Sequence, residues 1–462
     1  MSQLPDYVTS ATPNPKEARS GWLTTTAATY AGVMLWFVFW QDVPTGGQGV
    51  AGGTLSCGLP LAIGALILAA FLCHFLYYLA PGLLGMKTGL PLAVVGTSTY
   101  GVTGGYFMPG LLMGLLQFGW LSVNAFFAGL LLAAPFGQGE MSLLHLALGT
   151  LWALGAMFMG LKGIQYVGKV ASFTPIIPIA ILVLLLVNTL GTAGNFDASK
   201  IPKVAEGVKL YGSEQLGVVS LMCAYVIGFF ATAGAAGVGF GSGNKNGTAV
   251  QLGGLVGVVL PTVFAGIAAL IVIAGTQDKA GVVPVTGLLG TVLGKQLGDI
   301  CMFLLAIAAF PSACFCTLIA ADCIKTSFPK INPWASCGVG VAAAIALVIF
   351  GLAGKAGDVF TVIGASFGPI CGAMAADYIL SGFKWAGPRA GFNPAGWLSW
   401  LVGFIVGGAT LVVTKFLGQT MPFEIPCPPL SAFVVGFVLY IVFAKAGLES
   451  KVLDLPQRID TK

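Results

Sequence analysis

The stretch Cys57-Gly-Leu-Pro-Leu-Ala-Ile-Gly-Ala-Leu-Ile-Leu-Ala-Ala-Phe-Leu-Cys-His-Phe-Leu-Tyr-Tyr-Leu79 decides the fold class. It contains no Asp, Glu, Lys or Arg. A helix needs about 20 mainly apolar residues to cross the hydrocarbon layer of a bilayer, and this run supplies them. Outward from it, the same signature recurs near Trp22–Trp40, Gly104–Ala134, Ser142–Leu161, Gly168–Leu190, Leu216–Phe240, Thr248–Gly275, Gln296–Ile324, Trp334–Gly354, Gly357–Leu380, Ala395–Leu417 and Phe423–Lys445. The expectation is an all-α integral membrane protein of twelve transmembrane helices. Composition agrees: 8% of residues are charged and 57% hydrophobic, against about 25% charged in soluble domains, and the mean hydropathy is +0.93. The net charge of +5 is carried by singly scattered basic residues, which excludes a nucleic-acid patch. Met1–Ser20 is polar and lacks an apolar core, so no cleaved signal peptide is expected.

Lys and Arg set the orientation. With twelve spans, fourteen of the 21 fall on the side that holds both termini and seven on the other. That side is the cytoplasmic one. The chain then divides into a cytoplasmic N-terminal tail (1–21), a ten-helix core (22–385), two additional helices (386–446) and a cytoplasmic C-terminal tail (447–462).

Two soft places stand in matching positions. The first span runs into Thr45–Gly53, TGGQGVAGG, and the sixth carries Gly228, Gly234, Gly237, Gly239, Gly241 and Gly243. Gly costs a helix interior roughly 0.5–1 kcal/mol relative to Ala, so both places invite unwinding. Paired interrupted helices mark the binding site of carriers built from inverted repeats. Their spacing predicts a five-plus-five arrangement, with repeats of about 22–192 and 214–382. Close helix packing is the alternative use of such glycines.

Catalytic machinery is missing from the sequence. No HExxH, GxSxG or phosphate-loop pattern occurs, so no enzyme, metal or cofactor is read. His74 and His145 stand alone in apolar runs, as packing residues do. The ten cysteines form no CxxC pair. Asp42, Asp299 and Asp358 fall near span ends, within reach of water. Asp322 and Asp377 lie deeper, and a buried acid in a membrane is a functional candidate. In the third span, Gln117 and Trp120 are three apart and share a helix face. An indole stacks on a flat ring and an amide offers its edge a donor and an acceptor. Phe229 and Phe230, beside Gly228 and two residues before Thr232, offer a second aromatic face.

The chain resembles the nucleobase–cation symporters of the cytosine permease and hydantoin transporter group. The motifs are Gly85-Met-Lys-Thr-Gly-Leu90, Ser98-Thr-Tyr-Gly-Val102, Gln117-Phe-Gly-Trp120, Gly228-Phe-Phe-Ala-Thr-Ala-Gly234, Gly368-Pro-Ile-Cys-Gly-Ala-Met-Ala-Ala-Asp-Tyr378 and Gly391-Phe-Asn-Pro-Ala395 with Trp397 and Trp400. Each is short; their order along roughly 20–440 carries the resemblance. It implies the leucine-transporter fold and an alternating-access importer of a nucleobase such as cytosine, or a related planar nitrogen heterocycle, coupled to Na+ or H+. It also implies that Trp120 and Phe230 sandwich the ring, that Gln117 bonds its edge, and that Gly228 and Phe229 add backbone groups, with Thr232 nearby. Trp36 and Phe37 contribute from span one.

This chain departs from the family in places. Residues 301–331 lack the asparagine usual in span eight and leave Ser312 and Thr317, five apart, as the ion-ligand candidates. Thr97 and Gly239 replace a common arginine and acid. A same-fold carrier of another small solute, such as an amino acid or vitamin precursor, and a non-transporting sensor are the alternatives. The sequence is silent on oligomeric state.

Overall fold

A computed structural model describes residues 4–47, 53–171, 173–201 and 209–455. Helices occupy all twelve expected positions. The first, α1, comes in pieces: Leu23–Ala27 continues as Ala28–Met34, and Phe37–Gln41 follows after a break. Next come α2 (Leu59–Thr88), α3 (Tyr106–Phe136), α4 (Leu143–Lys162) and α5 (Ile176–Ala193). The second set is α6 (Glu214–Ser242), α7 (Gly247–Ala280), α8 (Lys295–Ser327), α9 (Pro333–Ile349) and α10 (Ala356–Leu380), followed by α11 (Pro394–Phe416) and α12 (Pro428–Lys445). Ten helices among the described residues are long and apolar enough to cross a membrane; α9 is shorter and α1 is interrupted.

Local chemistry explains many helix starts. Ser142, Ser213, Asn246 and Asn332 each cap a helix by accepting a backbone N–H, and Pro333, Pro394 and Pro428 occupy first turns, where no N–H is missed. Packing then sorts the helices into layers. One group joins α1, α2, α6 and α7; another joins α3, α4, α8 and α9. Helix α5 packs on α7, and α11 and α12 pack on α10.

Helix α6 corrects the expectation of a second unwound span: it runs 29 residues without a break. Several of its glycines serve close contact instead. A Cβ on Gly228 would lie 2.8 Å from the Phe360 carbonyl oxygen, one on Gly234 2.8 Å from the Tyr77 side chain, and one on Gly241 2.1 Å from the Gly82 carbonyl oxygen. Small residues that let backbones approach are what helix association in lipid uses. The glycines after span one also play another part. Gly46 and Gly47 have φ of 67° and 69°, a left-handed conformation that glycine adopts freely, in the turn that follows α1. The rest of that stretch, residues 48–52, lies outside the described residues.

The acids are distributed differently from the expectation. Asp322 is exposed, whereas Asp42 is buried and Asp377 is buried in a network. At the end of α10, Asp377 accepts hydrogen bonds from Ser98 (2.6 Å), Thr99 (3.1 Å), Tyr440 (3.0 Å) and Arg389 (3.2 Å). Arg389 also pairs with Glu449 at 2.8 Å and donates to the Ser98 carbonyl at 2.7 Å. A buried ion pair offsets its desolvation only with such added hydrogen bonds. The network ties the α2–α3 link, α10, the α10–α11 link, α12 and the segment beyond α12 into one assembly. His145 is satisfied structurally: one ring nitrogen accepts from the Met141 N–H and the other lies 2.9 Å from the Phe126 carbonyl oxygen.

Candidate functional site

The break in α1 falls at Leu35 and Trp36. The Leu35 N–H still bonds the Ala31 carbonyl at 2.9 Å, but that of Trp36 reaches Val33 at 3.3 Å, and Trp36 is extended with ψ 131°. The opened backbone is held by side chains. The indole of Trp40 donates to the Leu35 carbonyl (3.0 Å), and the Tyr225 hydroxyl lies 2.9 and 2.7 Å from the carbonyl oxygens of Val38 and Phe39. Buried carbonyls need such partners in a bilayer, so a bulky, glycine-free sequence breaks here.

Four rings from four helices meet at this break. The Trp120 ring (α3) lies 6.0 Å from Trp36 (α1), 5.1 Å from Phe229 (α6) and 5.1 Å from Phe360 (α10). Phe229 lies 5.3 Å edge-on to Phe360 and 5.0 Å from Phe39. These separations fall in the range of favourable aromatic pairs. The Trp120 indole N–H donates to the Thr232 hydroxyl at 3.0 Å, joining α3 to α6.

The structure thus brings together Trp36, Trp120, Phe229 and Thr232. Phe230 is placed elsewhere: it is fully buried, 5.6 Å from Tyr30. Successive helical residues point about 100° apart, so only one of the two phenylalanines faces Trp120. Gln117 is buried, its amide donating weakly to the Met113 sulfur at 3.5 Å. Gly228 presses against Phe360, and Phe37 is buried 6.1 Å from the Trp36 ring.

Ser312 and Thr317 are not brought together. Ser312 donates to the Ala309 carbonyl and accepts from Asn124 of α3 at 2.9 Å. Thr317 bonds the carbonyls of Ala156, in α4, and Cys314. Residues five apart point to different sides of a helix, and each hydroxyl is taken by a different neighbour. Two features escaped sequence reasoning. Phe360 is one aromatic in an apolar helix, without a pattern to mark it. Asn124, four residues after Trp120, forms a buried polar node with Ser312 and the Trp152 indole (2.9 Å); an asparagine in a membrane span was the signal available.

A cavity of about 30 Å³ opens between the α1 break, the start of α5 and α8, lined by Gly32, Trp36, Phe37, Pro175, Leu305 and Ala308 among others. That is space for a water or so, well below the ~300 Å³ at the lower end of ligand pockets. The rings themselves stand 5.1–6.0 Å apart, in contact, which leaves no slot for a flat ligand between them.

Fold and site together define a polytopic helical membrane protein of the leucine-transporter-type fold. Over 98% of this chain and 96% of the other, it is similar to Mhp1 in an inward-facing conformation, with a TM-score of 0.71 and 16% identity. Mhp1, a nucleobase-cation-symport-1 family transporter, in a closed conformation with bromovinylhydantoin bound, matches 96% of each chain with a TM-score of 0.62 and 16% identity. A Na+-coupled sialic acid symporter in a substrate-bound outward-open state covers 97% of this chain and 94% of its own, with a TM-score of 0.53 and 14% identity. No family model and no curated protein sequence matches the chain.

Proposed function

We propose that this protein is a secondary active transporter that imports a nucleobase such as cytosine, or a related planar nitrogen heterocycle, across the cytoplasmic membrane by alternating access, coupled to a cation, with both termini in the cytoplasm. The observation that carries this reading is the ring cluster of Trp36, Trp120, Phe229 and Phe360 at the break of α1. An opened backbone beside aromatic faces suits a flat, polar ring, and stacking on an aromatic is worth about 1–3 kcal/mol per base. The motif resemblance, and a fold likeness to a transporter described with a hydantoin bound, point the same way. Gln117, on the Trp120 face, is the edge ligand. The coupling ion is Na+ or H+; Ser312 and Thr317, the candidate ligands, bond different neighbours, Asn124 and the Ala156 carbonyl, so at most one of them serves a given ion.

Uptake of radiolabelled cytosine, uracil, hypoxanthine and hydantoin into proteoliposomes, with imposed Na+ or proton gradients, tests the proposal. Gradient-driven accumulation of at least one is expected, and Trp120→Ala, inserted normally, loses it. Binding without flux would turn the reading toward a sensor. Flux of an unrelated amino acid alone would turn it toward another solute carrier.

A further inference from the structure

Indole N–H groups provide an internal comparison across the molecule. Trp40 donates to the Leu35 carbonyl, Trp120 to Thr232, Trp152 to Asn124, Trp385 to the Val95 carbonyl, Trp397 to the Tyr100 carbonyl and Trp400 to the Ser366 carbonyl, all at 2.9–3.2 Å. Trp22 and Trp334 are not buried. Trp36 is the exception among the described residues: it is 9% exposed and its Nε1 has no partner. A buried donor left without a partner is costly, and each such group in a folded protein calls for an explanation.

Its position supplies one. Trp36 is the extended residue at the α1 break, it lines the cavity between α1, α5 and α8, and its ring touches those of Trp120 and Phe229. The same residue therefore borders both that cavity and the rings a flat ligand would stack on. Resting on the transporter reading above, we propose that the Trp36 indole N–H is a specificity donor for the cargo, and that the cargo carries a carbonyl oxygen in the plane of its ring to accept it. Stacking on Trp120 and Phe229 is indifferent to ring substituents. A directed N–H at the ring edge is not, because a cargo lacking the acceptor leaves the donor unmade inside the closed site. The chemical class selected is an oxo-heterocycle, in preference to rings of equal size without an exocyclic oxygen.

Sulfur is a poor acceptor, so oxo and thio analogues isolate this contact. Equilibrium binding of tritiated uracil, cytosine, hypoxanthine and hydantoin to the purified full chain is competed with the matching oxo and thio compounds, 2-thiouracil and 4-thiouracil among them. For at least one carbonyl position the wild type is expected to prefer oxygen by about tenfold, the equivalent of one ordinary hydrogen bond. Trp36→Phe, which keeps a ring face without the N–H, brings that ratio to about one, and Trp36→His, which keeps a ring N–H, restores part of it. A wild type that does not distinguish oxygen from sulfur at any position overturns the inference without any variant having to fold. A ratio unchanged in Trp36→Phe gives the indole to water and overturns it too. If no heterocycle binds the wild type, the transport reading falls and takes this inference with it. Binding without the Trp36 signature sinks the inference alone.

Discussion

Helices α1 and α6 were matched by their glycines, yet one breaks and the other does not. The break in α1 lies at Leu35 and Trp36, ten residues before the glycine stretch, and α6 stays helical through six of the residues least suited to a helix. Glycine lowers the cost of leaving a helix, but it does not decide whether leaving is favourable. That depends on who receives the freed backbone groups. In α1, Trp40 and Tyr225 receive carbonyls. In α6, neighbouring backbones press so closely on Gly228, Gly234 and Gly241 that the intact helix is the better-packed state.

The comparison breaks most forcefully at Gly241. A Cβ there meets the Gly82 carbonyl oxygen at 2.1 Å, so Gly241→Val is expected to destabilise by about 3 kcal/mol or more, the upper end for overpacking. Size-exclusion profiles and thermal unfolding in detergent would show aggregated or early-melting protein; a normal melt would return α6 glycines to an unwinding role. A smaller loss is expected for Tyr225→Phe, which takes the hydroxyl from the Val38 and Phe39 carbonyls and costs about 1–3 kcal/mol in the same melt. If its melting point matched the wild type, those carbonyls would have another donor and this account of the α1 break would fail. Smallest is Gly239→Ala, since Gly239 has nothing within 4 Å of a built Cβ. A gain of about 0.5 kcal/mol is expected from reduced chain entropy, and a loss would show that α6 does open at this end.

Much of the fold was legible because lipid imposes one rule, about 20 apolar residues per crossing, that composition alone reveals. The site was legible in part. Trp36, Trp120, Phe229 and Thr232 meet, since Gln117–Trp120 and Gly228–Thr232 mark faces that a single helix fixes. The choice between Phe229 and Phe230 depends on rotation of α6 against α3, which no local spacing encodes. Phe360 arrives from a helix more than a hundred residues away in sequence. The hydroxyls of Ser312 and Thr317 were eligible by chemistry, and the structure sets them apart, one beside Asn124 of α3 and the other at the Ala156 carbonyl of α4. Depth in an apolar run also misjudged the acids. Asp322 reaches the surface, and Asp42, past the end of a short helix, is covered by its neighbours, its carboxylate receiving a 3.5 Å bond from Gln41.

The carboxylate of Asp377 has a bearing on how such a molecule moves. Pulling Arg389 away would leave that buried carboxylate without its cationic partner, at a penalty of several kcal/mol. The ends of α10 and α12 nearest Asp377, together with the linker before α3 and the arginine that clasps Glu449, are thereby held as one block. Flexing is left to regions without such a rivet, and the severed backbone at Leu35 and Trp36 is one that sits beside the rings.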